Sequence, residues 1–438
     1  MRNYIKTKIA LLAFPLLFCA CASKQVQFDN PESKKVVVEN GSEIYVPYKQ
    51  LTKAPGAHWF AYYDKFETDP TGRYVLAMRA NFENRSPKDF ETIEIGVIDT
   101  HSVNKWTTLG TSAAWGWQQG CQLQFIPQSD FEVIWNDLEN GKFVSRIKNI
   151  KTGKMRTIDT AVYALSPDGK WAITLDYARL NDTRPGYGYK GVADPYKDIK
   201  APKETGIWKI DLQTGECKLI MSLADVVALK ETSHINFCNS KHWLNHLLVS
   251  PNGKRFIFFH RWQCTPDCKN KCAYAKHWGT HMLTANVDGS DIRVVIPYKM
   301  ASHFIWDWES KNILAWTNIA DRGNAFYLIS DEPKPTYTKV GPDKMKVNGH
   351  CTYLKNPDWI LNDTYPNKQS MQTVFLYNVK TGKRIDIAKL YSPRKIKGKE
   401  WRCDTHPRAT PDGTKVIVDS AHSGARQIYM FDISHLIK

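Results

Sequence analysis

The chain is a succession of short apolar segments separated by polar turns, and the same unit recurs along most of its length. The clearest copies are residues 163–175 (YALSPDGKWAITL) and 247–259 (LLVSPNGKRFIFF), where two apolar runs flank Pro-Asp-Gly or Pro-Asn-Gly. Glycine, and less readily asparagine or aspartate, tolerates the positive φ that such turns require. Residues 210–219 and 376–385 form similar hairpins with Thr-Gly at the turn. Each unit is therefore predicted to consist of paired antiparallel strands.

The unit repeats roughly every 40 to 60 residues, which is the spacing of β-propeller blades. Seven unit starts lie near His58, Trp117, Tyr163, His246, His303, His350 and His406. The last unit holds only three strands before the chain ends, so its outer strand is predicted to come from residues 35–39, closing the ring. This predicts an all-β fold, a seven-bladed β-propeller that forms a single domain over residues 34–438. A ring of six or eight blades is the alternative.

The N-terminus has the pattern of a bacterial lipoprotein signal peptide. Arg2, Lys6 and Lys8 precede a short apolar run over residues 9–18, and a small residue then stands before Cys21. The apolar run is too short to span a bilayer. We therefore expect residues 1–20 to be removed, Cys21 to carry the lipid and residues 21–33 to form a tether. The alternative is an uncleaved anchor or an ordinary secretion signal.

Composition narrows the class of partner. The formal net charge of +16 favours a polyanionic ligand, and export argues against nucleic acid. Aromatic residues make up 12% of the chain and suit carbohydrate stacking. We expect an acidic polysaccharide or oligosaccharide as the partner, a monomer, and membrane contact only through the N-terminal lipid. The expected location is the outer membrane of a Gram-negative bacterium, facing the periplasm or the cell surface.

In a propeller, the starts of the innermost strands and the loops between the second and third strands share one face. Reactive side chains are concentrated at these two positions of the repeat. The unit starts carry His58, Gln118, Gln119, Tyr163, His242, His246, His303, His350, Cys403 and His406, and the middle loops carry Arg179, Arg184, Tyr187 and Arg261. A single histidine is more often a core residue, but recurrence at one phase of the repeat predicts a shared funnel.

Two groups of residues could bind metal. His303, His350, Cys403 and His406 come from three adjacent units, and imidazole and thiolate ligands suit zinc. Calcium or manganese is the other candidate, in a structural or a catalytic role, and a hydrogen-bonded histidine cluster is the alternative. In the second group, Cys264, Cys268 and Cys272 precede His277 and His281. A disulfide between two of these cysteines is at least as well supported, because exported proteins are oxidised.

Six stretches resemble the β-propeller polysaccharide lyases, a group that includes ulvan, oligogalacturonate and rhamnose–glucuronate lyases. They are residues 58–65 (HWFAYYDK), 115–121 (WGWQQGC), 184–189 (RPGYGY), 242–246 (HWLNH), 349–351 (GHC) and 402–407 (RCDTHP). The resemblance covers nearly the whole predicted domain. It implies a β-elimination that cleaves a glycan containing uronic acid.

The resemblance also implies roles for particular residues. Tyr163 and Arg179 match a tyrosine–arginine pair of the ulvan lyases, although Gln118 or Gln119 replaces the funnel histidine of that group. His246 follows Trp243-Leu-Asn in the way that the catalytic histidine of the oligogalacturonate lyases follows Trp-Leu-Gly. The metal ligands of those enzymes resemble His303 and His406. Cys403 stands where they have glutamine, and Arg408 where they have another histidine.

The chemistry of elimination leads to the same candidates. The C5 carboxylate must be neutralised, the C5 proton removed and the O4 leaving group protonated. We expect Arg179 to bind the carboxylate, Tyr163 to act as base or acid, and His246 or His58 to be its partner. The predicted substrate-binding residues are Gln118, Gln119, Arg184, Tyr187, His242 and Arg261.

Two other functions fit the same pattern. The first alternative is a non-catalytic glycan-binding propeller on the cell surface. A glycoside hydrolase is less well supported, because no pair of carboxylates stands out in the sequence.

Overall fold

The computed structural model describes residues 25–26, 35–102, 105–129, 131–233, 235–237, 239–264, 278–297, 300–393 and 399–437. The predicted signal peptide, Cys21, Cys268, Cys272 and His277 lie outside these ranges, so lipidation stays a prediction. Cys264 is disulfide-bonded. Its predicted pairing with Cys268 or Cys272 involves residues outside these ranges and stays a prediction. No helix within the described ranges is both long enough and apolar enough to cross a membrane.

The strands of the described ranges form seven antiparallel sheets, which are the blades of the propeller. Four short strands come first: β1 (Gln25–Val26), β2 (Val36–Val37), β3 (Glu43–Ile44) and β4 (Tyr48–Gln50). Blade 1 contains β5 (Ala57–Trp59), β6 (Tyr74–Ala80), β7 (Ile93–Asp99) and β8 (Lys105–Ser112). Blade 2 contains β9 (Gln124–Phe125), β10 (Glu132–Glu139), β11 (Lys142–Asn149) and β12 (Met155–Ile158). Blade 3 contains β13 (Ala164–Leu165), β14 (Trp171–Thr174), β15 (Gly206–Asp211) and β16 (Cys217–Ser222).

The remaining four blades follow the same order from the channel outward. Blade 4 contains β17 (Ser240–Val249), β18 (Arg255–Cys264), β19 (Gly279–Asn286) and β20 (Arg293–Ile296). Blade 5 contains β21 (Ala301–Trp306), β22 (Asn312–Ile319), β23 (Gly323–Ser330) and β24 (Tyr337–Lys339). Blade 6 contains β25 (Thr352–Tyr353), β26 (Trp359–Asn362), β27 (Met371–Asn378) and β28 (Arg384–Tyr391). Blade 7 contains β29 (Arg408–Ala409), β30 (Lys415–Ser420) and β31 (Gln427–Asp432).

The ring is closed by the N-terminal segment, as predicted, but through a different strand. The fourth strand of blade 7 is β4, which pairs with β31, and β1 then pairs with β4. Residues 35–39, predicted for this position, instead contribute β2 to the outer edge of blade 6, where β3 pairs with β28. The predicted tether over residues 21–33 also contains β1. Both of the last blades therefore have covered edges, which protects them from pairing with other chains.

The predicted turns also fix how neighbouring blades pack. At the turn between β13 and β14, the hydroxyl of Ser166 donates to Asp168, and Gly169 has φ +68°. A Cβ at Gly169 would lie 2.1 Å from the carbonyl oxygen of Pro127 in blade 2, so only glycine permits this approach. Apolar side chains fill the spaces between the blades, with Trp135 and Trp243 almost fully buried.

Few helices interrupt the described strands. The α-helices are α1 (Tyr177–Thr183) and α2 (Leu223–Val227), and short 3-10 helices occur at Glu39–Gly41 and Lys230–Thr232. Helix α1 lies in the middle loop of blade 3. The side chain of Asp176 caps its N-terminus by accepting a hydrogen bond from the Arg179 amide at 2.9 Å.

Candidate active site in the central channel

The segment that follows β5 crosses the channel and forms a floor. The Tyr63 hydroxyl donates to the Phe304 carbonyl at 2.8 Å and accepts from the Phe304 amide at 2.9 Å, which joins blade 1 to blade 5. The Lys65 ammonium donates to the Tyr163 carbonyl of blade 3 at 3.0 Å. Because these buried bonds tie the segment to two other blades, they hold the floor rigidly.

A cavity of about 340 Å³, including its open mouth, lies in the channel. It is lined by residues from several blades: Tyr62, Gln119, Arg184, Tyr187, Asn245, His246, Phe259, Arg261, Ser302, His303 and Tyr365. Polar and aromatic side chains of this kind suit a hydroxyl-rich, charged ligand.

One histidine of the cavity is paired with a buried carboxylate. The Nε2 atom of His246 lies 3.2 Å from Oδ2 of Asp64 in the floor. Burial alone would raise the pKa of Asp64, but Lys65 and His246 outweigh it and hold that pKa below its usual value. Burial lowers the pKa of His246 despite Asp64, so the imidazole is neutral. Donation from Nε2 to Asp64 leaves Nδ1 as a proton acceptor.

Two arginines of the cavity have N–H groups without a partner among the described residues. These donors are Nε of Arg184 and both Nε and Nη1 of Arg261. The side-chain amide nitrogens of Gln119 and Asn245 are two further donors without a described partner. Burial, together with Arg184, lowers the pKa of Arg261 to about 9. Arg261 therefore stays charged at neutral pH. Unpaired buried donors are costly, and an anionic ligand would satisfy them.

Tyr187 lies between two guanidinium groups. Nη2 of Arg402 donates to the Tyr187 hydroxyl at 3.1 Å, and Cζ of Arg184 lies 4.4 Å from the centre of the Tyr187 ring. Nε of Arg402 in turn donates to Asp404 at 2.8 Å. Burial would raise the pKa of Tyr187, but Arg402 and Arg184 outweigh it and lower the pKa to about 7.

Three residues beside the cavity could hold a metal ion. One ligand atom each from His350, Asp404 and His406 lie within 4.8 Å of one another. Nδ1 of His350 lies 3.0 Å from Asp363, and its Nε2 is buried without a described partner, as is Nε2 of His406. A carboxylate behind the histidine and free buried nitrogens in front of it are the arrangement of a metal-binding histidine. The residues present therefore fit a divalent cation.

The structure brings several of the predicted residues together. His246, Arg184, Tyr187 and Arg261 line one cavity with Gln119. His303 also lines it and lies against His350, with 3.9 Å between the ring centres. His406 follows at 4.4 Å from the His350 ring. The roles of these residues stay predictions.

Arg179 lies elsewhere, and this corrects its expected role as the carboxylate-binding residue. Its guanidinium is buried and donates to five acceptors, among them Asp194 at 3.0 Å and the His242 carbonyl at 2.7 Å. No donor remains for a substrate. The predicted pairing with Tyr163 is wrong because Arg179 lies in the first turn of helix α1 and not in a hairpin strand.

We expect Arg179→Met to lower the free energy of unfolding by about 3–5 kcal/mol, because it removes the closer of the two cations beside the buried Asp194 and leaves only Lys241, at 3.7 Å. The matched control is Lys142→Met, which removes an exposed ion pair with Asp159 and should cost less than about 1 kcal/mol. Denaturant unfolding of both variants measures the difference. Unchanged stability with lost binding of uronate would contradict the structural role.

Two further residues predicted to be catalytic do not line the cavity. The Tyr163 hydroxyl donates to Oε1 of Gln119 at 2.8 Å, so Tyr163 reaches the cavity only through Gln119. Burial raises the pKa of Tyr163, which does not suit a base. His58 packs against Trp106 of blade 1, with 5.4 Å between ring centres, and its amide donates to Arg426. These positions correct both assignments.

His242 and Gln118 are also placed outside the cavity. Nδ1 of His242 lies 2.9 Å from Nε2 of His260, within a buried cluster of blade 4. A β-bulge between Asn245 and Leu248 interrupts the regular alternation of side chains along β17. His246 therefore reaches the cavity, whereas His242 does not. The Gln118 side chain donates to the Glu400 carbonyl at 2.7 Å, so it supports the neighbouring segment instead of contacting a ligand.

Cys403 is not part of the group that could bind metal. Its thiol is free and packs in a small apolar cluster with Ala421, and burial raises its pKa to about 12. Asp404 takes the position predicted for Cys403. Arg408 pairs with Glu67 and Asp419 and donates to the His406 carbonyl.

Several residues of the site were not singled out from the sequence. They are Tyr62, Asp64, Asp363, Tyr365, Arg402 and Asp404. Asp363 and Tyr365 follow β26 in the middle loop of blade 6, the same phase of the repeat that supplied Arg184 and Arg261. Examining the middle loop of blade 6 for reactive side chains, as for blades 3 and 4, would have predicted both residues.

No family model matches the chain, and no curated protein is detectably similar in sequence. Among solved structures, the oligogalacturonate lyase of Vibrio parahaemolyticus superposes with a TM-score of 0.61 at 14% identity, covering 93% of this chain and 100% of that one. An oligogalacturonate lyase in complex with manganese superposes with a TM-score of 0.62 at 14% identity, covering 94% and 98%. The predicted resemblance therefore holds at the level of structure, and this chain is a seven-bladed β-propeller with the fold of the oligogalacturonate lyases.

Proposed function

We propose that this protein is a lyase that cleaves a glycan containing uronic acid by β-elimination. One observation carries the proposal. The neutral imidazole of His246, which is hydrogen-bonded to Asp64, lines the same cavity as the unpaired guanidinium donors of Arg184 and Arg261. A uronate has a carboxylate for the donors and a C5 proton for the imidazole. The structural likeness to oligogalacturonate lyases agrees with an acidic oligosaccharide as the substrate class.

Arg261 and Arg184 would bind the carboxylate of the sugar. When the C5 proton leaves, negative charge spreads onto that carboxylate, and the two guanidinium groups stabilise it. The amides of Gln119 and Asn245 supply further donors at the same wall. Because these donors are already in place and desolvated, little reorganisation is needed during the reaction.

His246 would act as the base. Nδ1 accepts the C5 proton, the C4–C5 double bond forms, and the bond between C4 and O4 breaks. Asp64 holds the ring and stabilises the imidazolium that results, as carboxylates do for other catalytic histidines. The departing O4 needs a proton. Burial raises the pKa of Tyr62 and Tyr365, so both phenols are protonated at neutral pH and would be the proton source for this oxygen.

A divalent cation held by His350, Asp404 and His406 would add positive charge close to the substrate carboxylate. Burial and the neighbouring His350 lower the pKa of His406, which keeps its nitrogen available as a ligand. We propose a divalent cation here, with manganese, zinc and calcium as the candidates. Manganese is the ion in complex with one of the structurally similar oligogalacturonate lyases.

Adding manganese, zinc or calcium to the chelator-treated protein is expected to raise its melting temperature. At a hundredfold excess over Kd, a bound cation stabilises the folded state by about 2.7 kcal/mol. His406→Ala should abolish the shift, whereas His101→Ala, an exposed control, should keep it. Differential scanning fluorimetry measures the effect. Equal shifts in wild type and in His406→Ala would contradict a site at these residues.

The test of the proposed function is the ultraviolet absorbance of the unsaturated uronate that elimination produces. Ulvan, polygalacturonate and glucuronate-capped arabinogalactan are incubated with the full chain, with and without chelator. Growth of the absorbance on at least one polymer is the expected result. Binding of a uronate polymer without any product would instead identify a glycan-binding propeller.

Tyr187 is expected to make ligand affinity fall as pH rises through about 7. Below this pH the phenol is neutral and leaves Arg184 and Arg402 available. Above it the phenolate competes with the ligand carboxylate for the same guanidinium groups. Calorimetric titration with galacturonate or glucuronate oligosaccharides between pH 6 and 8 measures the change, and Tyr187→Phe should flatten it. A wild-type profile that Tyr187→Phe does not alter would contradict this linkage.

A further inference from the structure

Trp278 lies next to two arginines of the cavity and is not used by the proposed reaction. It directly precedes β19 in blade 4, and 43% of its surface is exposed. Its ring lies 4.5 Å from Cζ of Arg184 and 5.8 Å from Cζ of Arg261, both of which line the cavity. Trp278 therefore places an exposed aromatic face next to the two cationic side chains of the cavity.

The position of Trp278 is fixed by its neighbours. The next residue, Gly279, packs so closely on Trp262 that a Cβ would lie 2.2 Å from that ring. Arg184 is held between two aromatic rings, with its Cζ 4.4 Å from the centre of Tyr187 and 4.5 Å from the centre of Trp278. Trp278 is therefore held beside the cavity before any ligand arrives, which lowers the entropy cost of binding.

Sugar rings present C–H groups on one face and hydroxyls at their edges, and tryptophan pairs an apolar ring with a polar N–H. The cavity itself is lined by hydrogen-bond donors without a described partner, whereas Trp278 exposes an apolar surface just outside it. We propose that Trp278 is the stacking platform of a second sugar-binding position. The ligand is then an oligosaccharide, with its uronate in the cavity and the neighbouring pyranose on Trp278. This inference rests on the proposed function and adds the length of the ligand to it.

The test compares a single sugar with a short chain by calorimetric titration. The probes are galacturonic acid with trigalacturonic acid, and glucuronic acid with a glucuronate-containing trisaccharide, on full chains that carry His246→Ala to prevent cleavage. Trp278→Ala should weaken trisaccharide binding about tenfold, which is the scale of one aromatic contact, and monosaccharide binding no more than about twofold. Trp278→Tyr should restore most of the loss.

The matched control is Trp308→Ala. Trp308 is also exposed, at 55%, but it lies in the hairpin between β21 and β22, outside the cavity lining. It should leave the binding of both kinds of probe unchanged.

Equal losses for monosaccharide and trisaccharide in Trp278→Ala would mean that Trp278 only positions Arg184, and this would overturn the second sugar position. If the His246→Ala chain binds the trisaccharide and Trp278→Ala leaves that affinity unchanged, the inference fails while the proposed function stands. No binding of any uronate would overturn the proposed function itself.

Discussion

His246→Ala is expected to lower kcat for uronate elimination by about 10²- to 10⁴-fold, the usual contribution of a positioned general base. Nδ1 of His246 is the acceptor available to the C5 proton, because Nε2 is engaged by Asp64 at 3.2 Å. Substrate affinity should change little, since the guanidinium groups remain. The initial rate of absorbance change, with binding measured separately, checks both parts.

Asp64→Asn provides a graded version of the same test. The amide keeps the shape of the floor but no longer stabilises the imidazolium, so kcat should fall while the protein stays folded. The control is His242→Gln, which alters a buried histidine of the same strand that lies outside the cavity. It should retain turnover even if its stability drops. Full activity in His246→Ala would rule out this histidine as the base.

Arg261→Ala is expected to lower kcat by about 10²- to 10³-fold, the effect of removing one preorganised donor from developing negative charge. Arg261 has two donor nitrogens, Nε and Nη1, without a described partner, and its low pKa of about 9 follows from burial beside Arg184. Ligand affinity should fall as well. Single-turnover rates together with calorimetric titration separate the two losses.

Arg261→Lys should recover only part of the rate, because an ammonium cannot bind a carboxylate with two parallel N–H groups. The control is Arg255→Gln, at the other end of β18, where Arg255 pairs with Asp291 and Asp331. It should unfold more easily and turn over normally. If Arg261→Ala lost stability but neither affinity nor rate, Arg261 would be a structural residue.

The fold follows from the sequence because each blade carries its own local signal. Alternating apolar residues and a Gly-containing turn specify a hairpin wherever they occur, as at Gly169. The closing strand carries no comparable signal. The strands over residues 36–37, 43–44 and 48–50 are all short, and each could pair with the outer edge of blade 6 or of blade 7. Which edge each strand joins is decided by long-range packing that the local pattern does not contain.

The site was less predictable, because irregular backbone decides which way its side chains point. His246 has φ +53° beside a β-bulge, and His406 has φ +38°. A rule of alternating faces therefore fails at these positions, and it cannot tell Cys403 from Asp404 as the residue that faces the channel. Arg179 shows the second cause of error. Spacing alone suggested a hairpin partner, but the Asp176 cap begins a helix there.

The most direct test is to analyse the products formed in water labelled with heavy oxygen. Elimination breaks the bond between C4 and O4 without adding water, so we expect unlabelled fragments whose masses sum to that of the substrate. One of them should carry an unsaturated uronate. Incorporation of one labelled oxygen at each cleavage would show hydrolysis, and it would contradict the removal of a uronate C5 proton in this cavity.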